Sequence, residues 1–109
     1  MGNQLENRVA VITGAGEGIG RGIANAFIKE GARVVIAEID TDLGNTAATE
    51  LGDNAIFVES DISKKEDNER MIDVAVEKWG TLDILVNNAW GGGLISRVES
   101  KSPELMEHG

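Results

Sequence analysis

Val9-Ala10-Val11-Ile12-Thr13-Gly14-Ala15-Gly16-Glu17-Gly18-Ile19-Gly20 is the stretch from which the rest of the chain can be read. Val9 to Ile12 is short, apolar and mostly β-branched, without alternation, as in a strand buried on both faces. Four glycines then crowd one turn. They leave room for a ligand to approach the backbone. Beyond the turn, Ile19, Ile23 and Phe27 recur every four residues, which predicts one helix face. Strand, bare turn and helix start together form an anion site, because the first-turn amides and the positive end of the helix dipole point at one place.

Outward from this stretch the pattern repeats. Gly31 supplies a helix stop at the C′ position. Arg33–Glu38 reads as a second strand. Asp40 or Thr41 caps a second helix, with Leu43, Ala47 and Leu51 on its inner face. Gly52-Asp53-Asn54 is a turn, and Ala55 to Val58 a third strand. Ser63-Lys64-Lys65-Glu66 has the form of a capping box. It opens a third helix with Met71, Val74, Ala75 and Trp79 inward, ended by Gly80. Asp83 to Asn88 holds the fourth strand. Alternating strands and helices predict an α/β fold with a parallel sheet and right-handed crossovers; if the pattern is Rossmann-like, the fold has three layers and the strand order is 3-2-1-4. The expectation is a single domain over 1–109, truncated after the fourth strand. Residues 90–109 are expected to be a glycine-rich loop and an incomplete helix starting at Ser102-Pro103-Glu104.

Composition narrows the function. The formal net charge of −9 argues against nucleic acid or an anionic membrane surface as partner, since both need a basic footprint. No apolar run reaches membrane-spanning length, and no signal peptide opens the chain. A cytoplasmic location is the expectation. Cysteine is absent, so disulfides and thiolate metal sites are excluded. No metal site is expected. His108, the single histidine, reads as a solvated tail residue.

The glycines do not spell G-x-G-x-x-G, because Ile19 stands where the third glycine should be. They spell Thr-Gly-x-x-x-Gly-Ile-Gly, complete from Thr13 to Gly20. In this the chain resembles the short-chain dehydrogenase/reductase family. The resemblance implies a dinucleotide at Gly14, Glu17, Gly18, Ile19 and Gly20. Glu38 ends the second strand, where an acid accepts hydrogen bonds from the ribose hydroxyls and repels a 2′-phosphate, so NAD is preferred over NADP. Glu17 agrees, since family members using NADP often carry a basic residue there. By the same resemblance Ile39 covers the adenine. Asp61-Ile62 resembles the pair whose Asp contacts the adenine amino group; for Asp61, a turn residue before Ser63 is an equal reading. Asn87-Asn88-Ala89 matches the family's Asn-Asn-Ala-Gly, with Asn88 and Ala89 beside the nicotinamide ribose. Trp90 replaces the glycine, and a packing role is expected for its indole.

The family's Tyr-x-x-x-Lys pair finds no match, and the chain contains no tyrosine. No catalytic residue is therefore assigned. The chain reads as the NAD-binding half of an oxidoreductase that moves hydride between NAD and an alcohol or ketone, binding NAD weakly and not catalytic alone. Two alternatives stand beside it. One is an S-adenosylmethionine-binding methyltransferase-like domain, which also has a glycine turn after strand one and an acid after strand two. The other is a minimal fold without ligand. An unpaired fourth strand, with Val11, Val35 and Leu85 on a partly covered sheet face, predicts a homo-oligomer through that edge or face.

Overall fold

The computed structural model describes residues 4–88 and 94–97. Strands β1 (Val9–Thr13), β2 (Arg33–Glu38), β3 (Ala55–Glu59) and β4 (Ile84–Asn87) alternate with helices α1 (Gly18–Lys29), α2 (Thr41–Leu51) and α3 (Lys65–Trp79). A fifth strand, β5 (Leu94–Arg97), follows. The sheet runs β3-β2-β1-β4-β5. Its first four strands are parallel, in the expected order, while β5 pairs antiparallel with β4.

β1 has the register that centres the sheet: Val11 lies beside Val35 on one side and Leu85 on the other. All five of its residues are buried. Ala10, Ile12, Val34 and Ile36 face α1 and α2, where Ala24 and Ala47 are buried and Ile23, Phe27 and Leu51 pack around them. Val9, Val11, Val35 and Ala37 face α3 through Met71, Ala75 and Val76. Alternate strand residues thus feed two cores, which is why the strands read as unbroken apolar runs.

Several expectations change. β4 is not an open edge, because β5 covers it with backbone hydrogen bonds from a segment that carries no sequence pattern. Val11 and Val35 are not stranded; α3 buries both, and Leu85 packs at the margin of the same core. The two structural reasons given for self-association are therefore met within the chain. In α3, Val76 rather than Val74 joins the fully buried set. The capping box does not form: Ser63 Oγ donates to Asp61 Oδ1 at 2.6 Å, and α3 begins with Lys64 at its N-cap. Asp67, not Glu66, reaches back, accepting from the Asp61 N–H at 2.9 Å. The helix stops do hold, with Gly31 and Gly80 both at positive φ. The expected features at Ala89, Trp90 and the helix start at Ser102 lie outside the described residues.

One contact was not legible beforehand. Gly44, inside α2, lies against the Phe57 ring, which occupies the space a Cβ there would need. The missing side chain lets α2 settle onto β3.

Candidate functional site

Every parallel strand delivers its carboxyl end to one rim of the sheet. Gly14 follows β1, Glu38 and Ile39 close β2, Ser60, Asp61 and Ile62 follow β3, and Asn88 follows β4. These residues, with Glu17 and Ala37, line a cleft of about 380 Å³. It runs along the rim from the end of β3 to the end of β4 and so reaches the point between β1 and β4 where the strand order reverses, the switch point at which open α/β sheets bind ligands. The volume falls within the range of about 300–1,000 Å³ usual for ligand sites.

The floor is held by Thr13. Its Oγ1 accepts from the Asn88 N–H at 2.9 Å and lies within donating reach of Asn87 Oδ1 at 3.2 Å and Val86 O at 3.4 Å. This ties the end of β1 to the end of β4, so Asn87 does help hold the central sheet. Thr13 belongs to the glycine motif, yet its role as a bridge between two strands distant in sequence appears only in the fold.

Above the floor sits the start of α1. Glu17 is its N-cap, in an extended conformation, and makes no side-chain capping bond. No acid stands in the first turn. The contrast with α2 is direct, since Asp40 Oδ1 accepts from the Leu43 N–H at 3.0 Å there. The first-turn amides of α1 thus keep their capacity for an external acceptor, at the positive end of the helix dipole. Gly18 has φ +63°, and a Cβ built on it meets nothing within 4 Å. The turn there is open space, in a conformation that favours glycine. Gly20 differs. It is buried, and a Cβ on it would run into the Gly14 carbonyl and come within 2.7 Å of Asn88 Nδ2. The missing side chain at Gly20 lets α1 dock against the turn.

Glu38 is 8% exposed, at the centre of the wall. Its Oε1 accepts from the Gly16 N–H at 2.9 Å and its Oε2 from the Asp40 N–H at 3.1 Å. Among the described residues, Ile19 and Ile39 are the large apolar ones left exposed, at 74% and 61%. Ile19 was expected on the inner helix face with Ile23 and Phe27. It is exposed instead, while Ile23 and Phe27 pack on the core. Ser60, which sequence reasoning missed, is buried in the wall, its hydroxyl donating to Val58 O at 3.1 Å and its N–H to Glu38 O at 3.0 Å. A single serine after a strand carries no pattern that could have found it.

Asp61 lines the cleft, but its carboxylate is engaged. Oδ1 accepts from the Ser63 hydroxyl at 2.6 Å and the Ser63 N–H at 2.9 Å. The Ser63 hydroxyl first, then its amide, with Lys64 adding to them, lower the Asp61 pKa below the ordinary carboxylate value. A lowered folded-state pKa means that this turn contributes stability above the unfolded pKa and loses it as pH falls through the folded one. Replacing Ser63 with alanine should therefore raise the Asp61 pKa towards the ordinary range. A carboxyl-carbon NMR titration giving the same value in both proteins would contradict this. The turn reading of Asp61 is thus realised in the fold, with the side chain still on the cleft wall.

The sequence profile of the short chain dehydrogenase family matches residues 8–106. This chain belongs to that family. It is 46% identical over 106 residues to tropinone reductase-like 1 of Erythroxylum coca, covering 94% of this chain and 39% of that protein. It is 43% identical over 93 residues to the 7alpha-hydroxysteroid dehydrogenase of Escherichia coli K12, covering 83% and 36%. Among solved structures, the 3-ketoacyl-(acyl-carrier-protein) reductase of Brucella melitensis, complexed with NADH, superposes with a TM-score of 0.73 at 46% identity, covering 75% of this chain and 34% of that one. The chain thus spans between about a third and two fifths of the length of these relatives. Among the described residues, no helix is long and apolar enough to cross a membrane.

Proposed function

We propose that this chain binds a nicotinamide dinucleotide in the cleft at the carboxyl end of its sheet, with NAD preferred over NADP. The observation that carries the reading is the pairing, on one wall, of an uncapped helix start with the Glu38 carboxylate at the end of β2. The open turn at Gly18 fits a ligand that must approach the backbone. In this reading the first-turn amides from Gly18 to Gly20 receive the pyrophosphate. The Glu38 carboxylate, which keeps lone pairs beyond those used by Gly16 and Asp40, accepts from the ribose hydroxyls. Ile39 and Ile62 flank the adenine, and Asp61 lies at its edge. Asn88 and Ala89 border the nicotinamide ribose, Ala89 being assigned from the family motif alone.

The chemistry supplied by the cofactor is hydride exchange with an alcohol or ketone carbon, in a longer relative of this chain. What these residues contribute is binding and orientation. The chain contains no tyrosine, so the family's general acid/base has no counterpart among its side chains. The chain alone should not turn over NAD with any alcohol. The family match favours this reading over an S-adenosylmethionine site.

The charge on the wall gives the cofactor test. Glu17 and Glu38 both line the cleft, and a 2′-phosphate brought beside them meets like charge. Titration calorimetry should show NAD binding about tenfold more tightly than NADP, a difference of about 1.4 kcal/mol. Equal or reversed affinities would remove the NAD preference. Heat from S-adenosylmethionine, with none from either dinucleotide, would overturn the function itself.

A further inference from the structure

We propose that Glu38 is a positioning residue for the glycine turn, so that the side chain proposed to select the cofactor also holds the turn that binds it. The inference deepens the function proposed above and rests on it for the ligand. Its structural half stands on geometry alone.

Gly16 is the middle of the turn. Its N–H finds its acceptor in Glu38 Oε1, 2.9 Å away in a buried setting. The fit is tight on the same side: a Cβ on Gly16 would lie 2.8 Å from that Oε1, 2.8 Å from Leu43 Cβ and 2.9 Å from Glu38 Cγ. Turn, strand end and helix start are therefore packed in one place. The second carboxylate oxygen accepts from Asp40 N–H, and Asp40 in turn caps α2 through Leu43 N–H. One side chain links the turn between β1 and α1 to the loop between β2 and α2. Both amides are left without this acceptor if Glu38 is shortened, and a buried unsatisfied N–H is costly enough to reshape a glycine-rich segment.

A consequence follows for specificity. Removing the acid should not simply admit a 2′-phosphate, because the same change releases the turn. Acceptor and charge can be separated. Glu38→Gln keeps a carbonyl oxygen for Gly16, loses the charge, and turns its amide nitrogen, a donor, towards the Asp40 N–H. Glu38→Ala loses both.

The test is amide hydrogen exchange by NMR, with 5′-AMP and adenosine 2′,5′-bisphosphate as probes. Exchange at Val11 and Val35, buried in the middle of the sheet, serves as the measure of global stability. In Glu38→Ala, Gly16 should exchange about tenfold faster relative to Val11 and Val35 than in the unsubstituted chain. Both nucleotides should bind this variant more weakly than 5′-AMP binds the unsubstituted chain. In Glu38→Gln, Gly16 should stay within about threefold of its original protection, while discrimination against the bisphosphate falls. Unchanged relative exchange at Gly16 in Glu38→Ala would overturn the positioning role. So would binding of the bisphosphate by Glu38→Ala as tight as that of 5′-AMP by the unsubstituted chain. If the unsubstituted chain binds neither nucleotide, the proposed function fails, and the exchange comparison still decides the role of Glu38.

Discussion

Replacing Gly20 with alanine should destabilise the chain by about 3 kcal/mol, whereas the same change at Gly22 should stabilise it by about 0.5–1 kcal/mol. The two positions lie in α1 with only Arg21 between them. Helix propensity favours alanine at both. Space decides between them. A Cβ on Gly22 meets nothing within 4 Å. A Cβ on Gly20 meets the carbonyl of Gly14, which is backbone and cannot swing aside, and Asn88 Nδ2 at 2.7 Å. To admit it, α1 must lift from the turn, and Ala24 and Phe27 lose packing in the core they share with Ile12 and Ile36. Domains of this size are stable by about 5–15 kcal/mol in total, so the Gly20 variant should show a clearly lowered urea midpoint by circular dichroism. Equal effects at the two sites would mean that the close approach of α1 to Gly14 is not a feature of the folded chain.

Replacing Asp83 with alanine should cost about 2–3 kcal/mol, or about 10 °C or more in Tm. Asp83 is buried just before β4. Its Oδ2 accepts from the Val9 N–H at 2.9 Å, and its own N–H donates to Val9 O at 2.9 Å. The side chain thus completes the pairing at the start of β1 from the opposite strand. Arg8 Nη1 lies 3.7 Å from Oδ1, but the Arg8 side chain is half exposed, so that pair contributes little, about 0–1 kcal/mol. The ranking follows. Asp83→Ala strands a buried N–H and has the largest effect. Asp83→Asn keeps an acceptor and should cost about 1 kcal/mol. Arg8→Ala should be near neutral. Thermal denaturation of the three variants checks the order, and an Arg8 effect as large as that of Asp83→Ala would show that the ion pair, not the backbone bond, is what matters.

Neither of these residues was conspicuous for this role in the sequence. Asp83 is one acid among 19 acidic residues, and nothing near it marks it as a cap for a strand 74 positions away. Gly20 was visible as a motif glycine, but its close approach to the Gly14 carbonyl was not. Ile19 kept the helical spacing of Ile23 and Phe27, but spacing does not say how far along a helix the core extends, and Ile19 is exposed. The Ser63 pattern suited a capping box until Asp61, two residues earlier, took its hydroxyl.

The sequence by itself determined the element order, the parallel strand order 3-2-1-4 and the rim on which the cleft lies. The elements follow from local signals: apolar runs mark doubly buried strands, and glycines mark stops and turns. Right-handed crossovers leave a few strand orders for alternating strands and helices, and the Thr13 to Gly20 motif selects the Rossmann one. The tertiary structure decided what needs a partner remote in the chain. It set the pairing of β5 on β4, the burial of Val11 and Val35 under α3, and the bridge from Thr13 to Asn87 and Asn88. It also set the grip of Glu38 on Gly16. Hydrogen bonds of this kind join residues far apart in sequence, and no local spacing records them, because the distance between two such groups is fixed only once the sheet that carries both has formed.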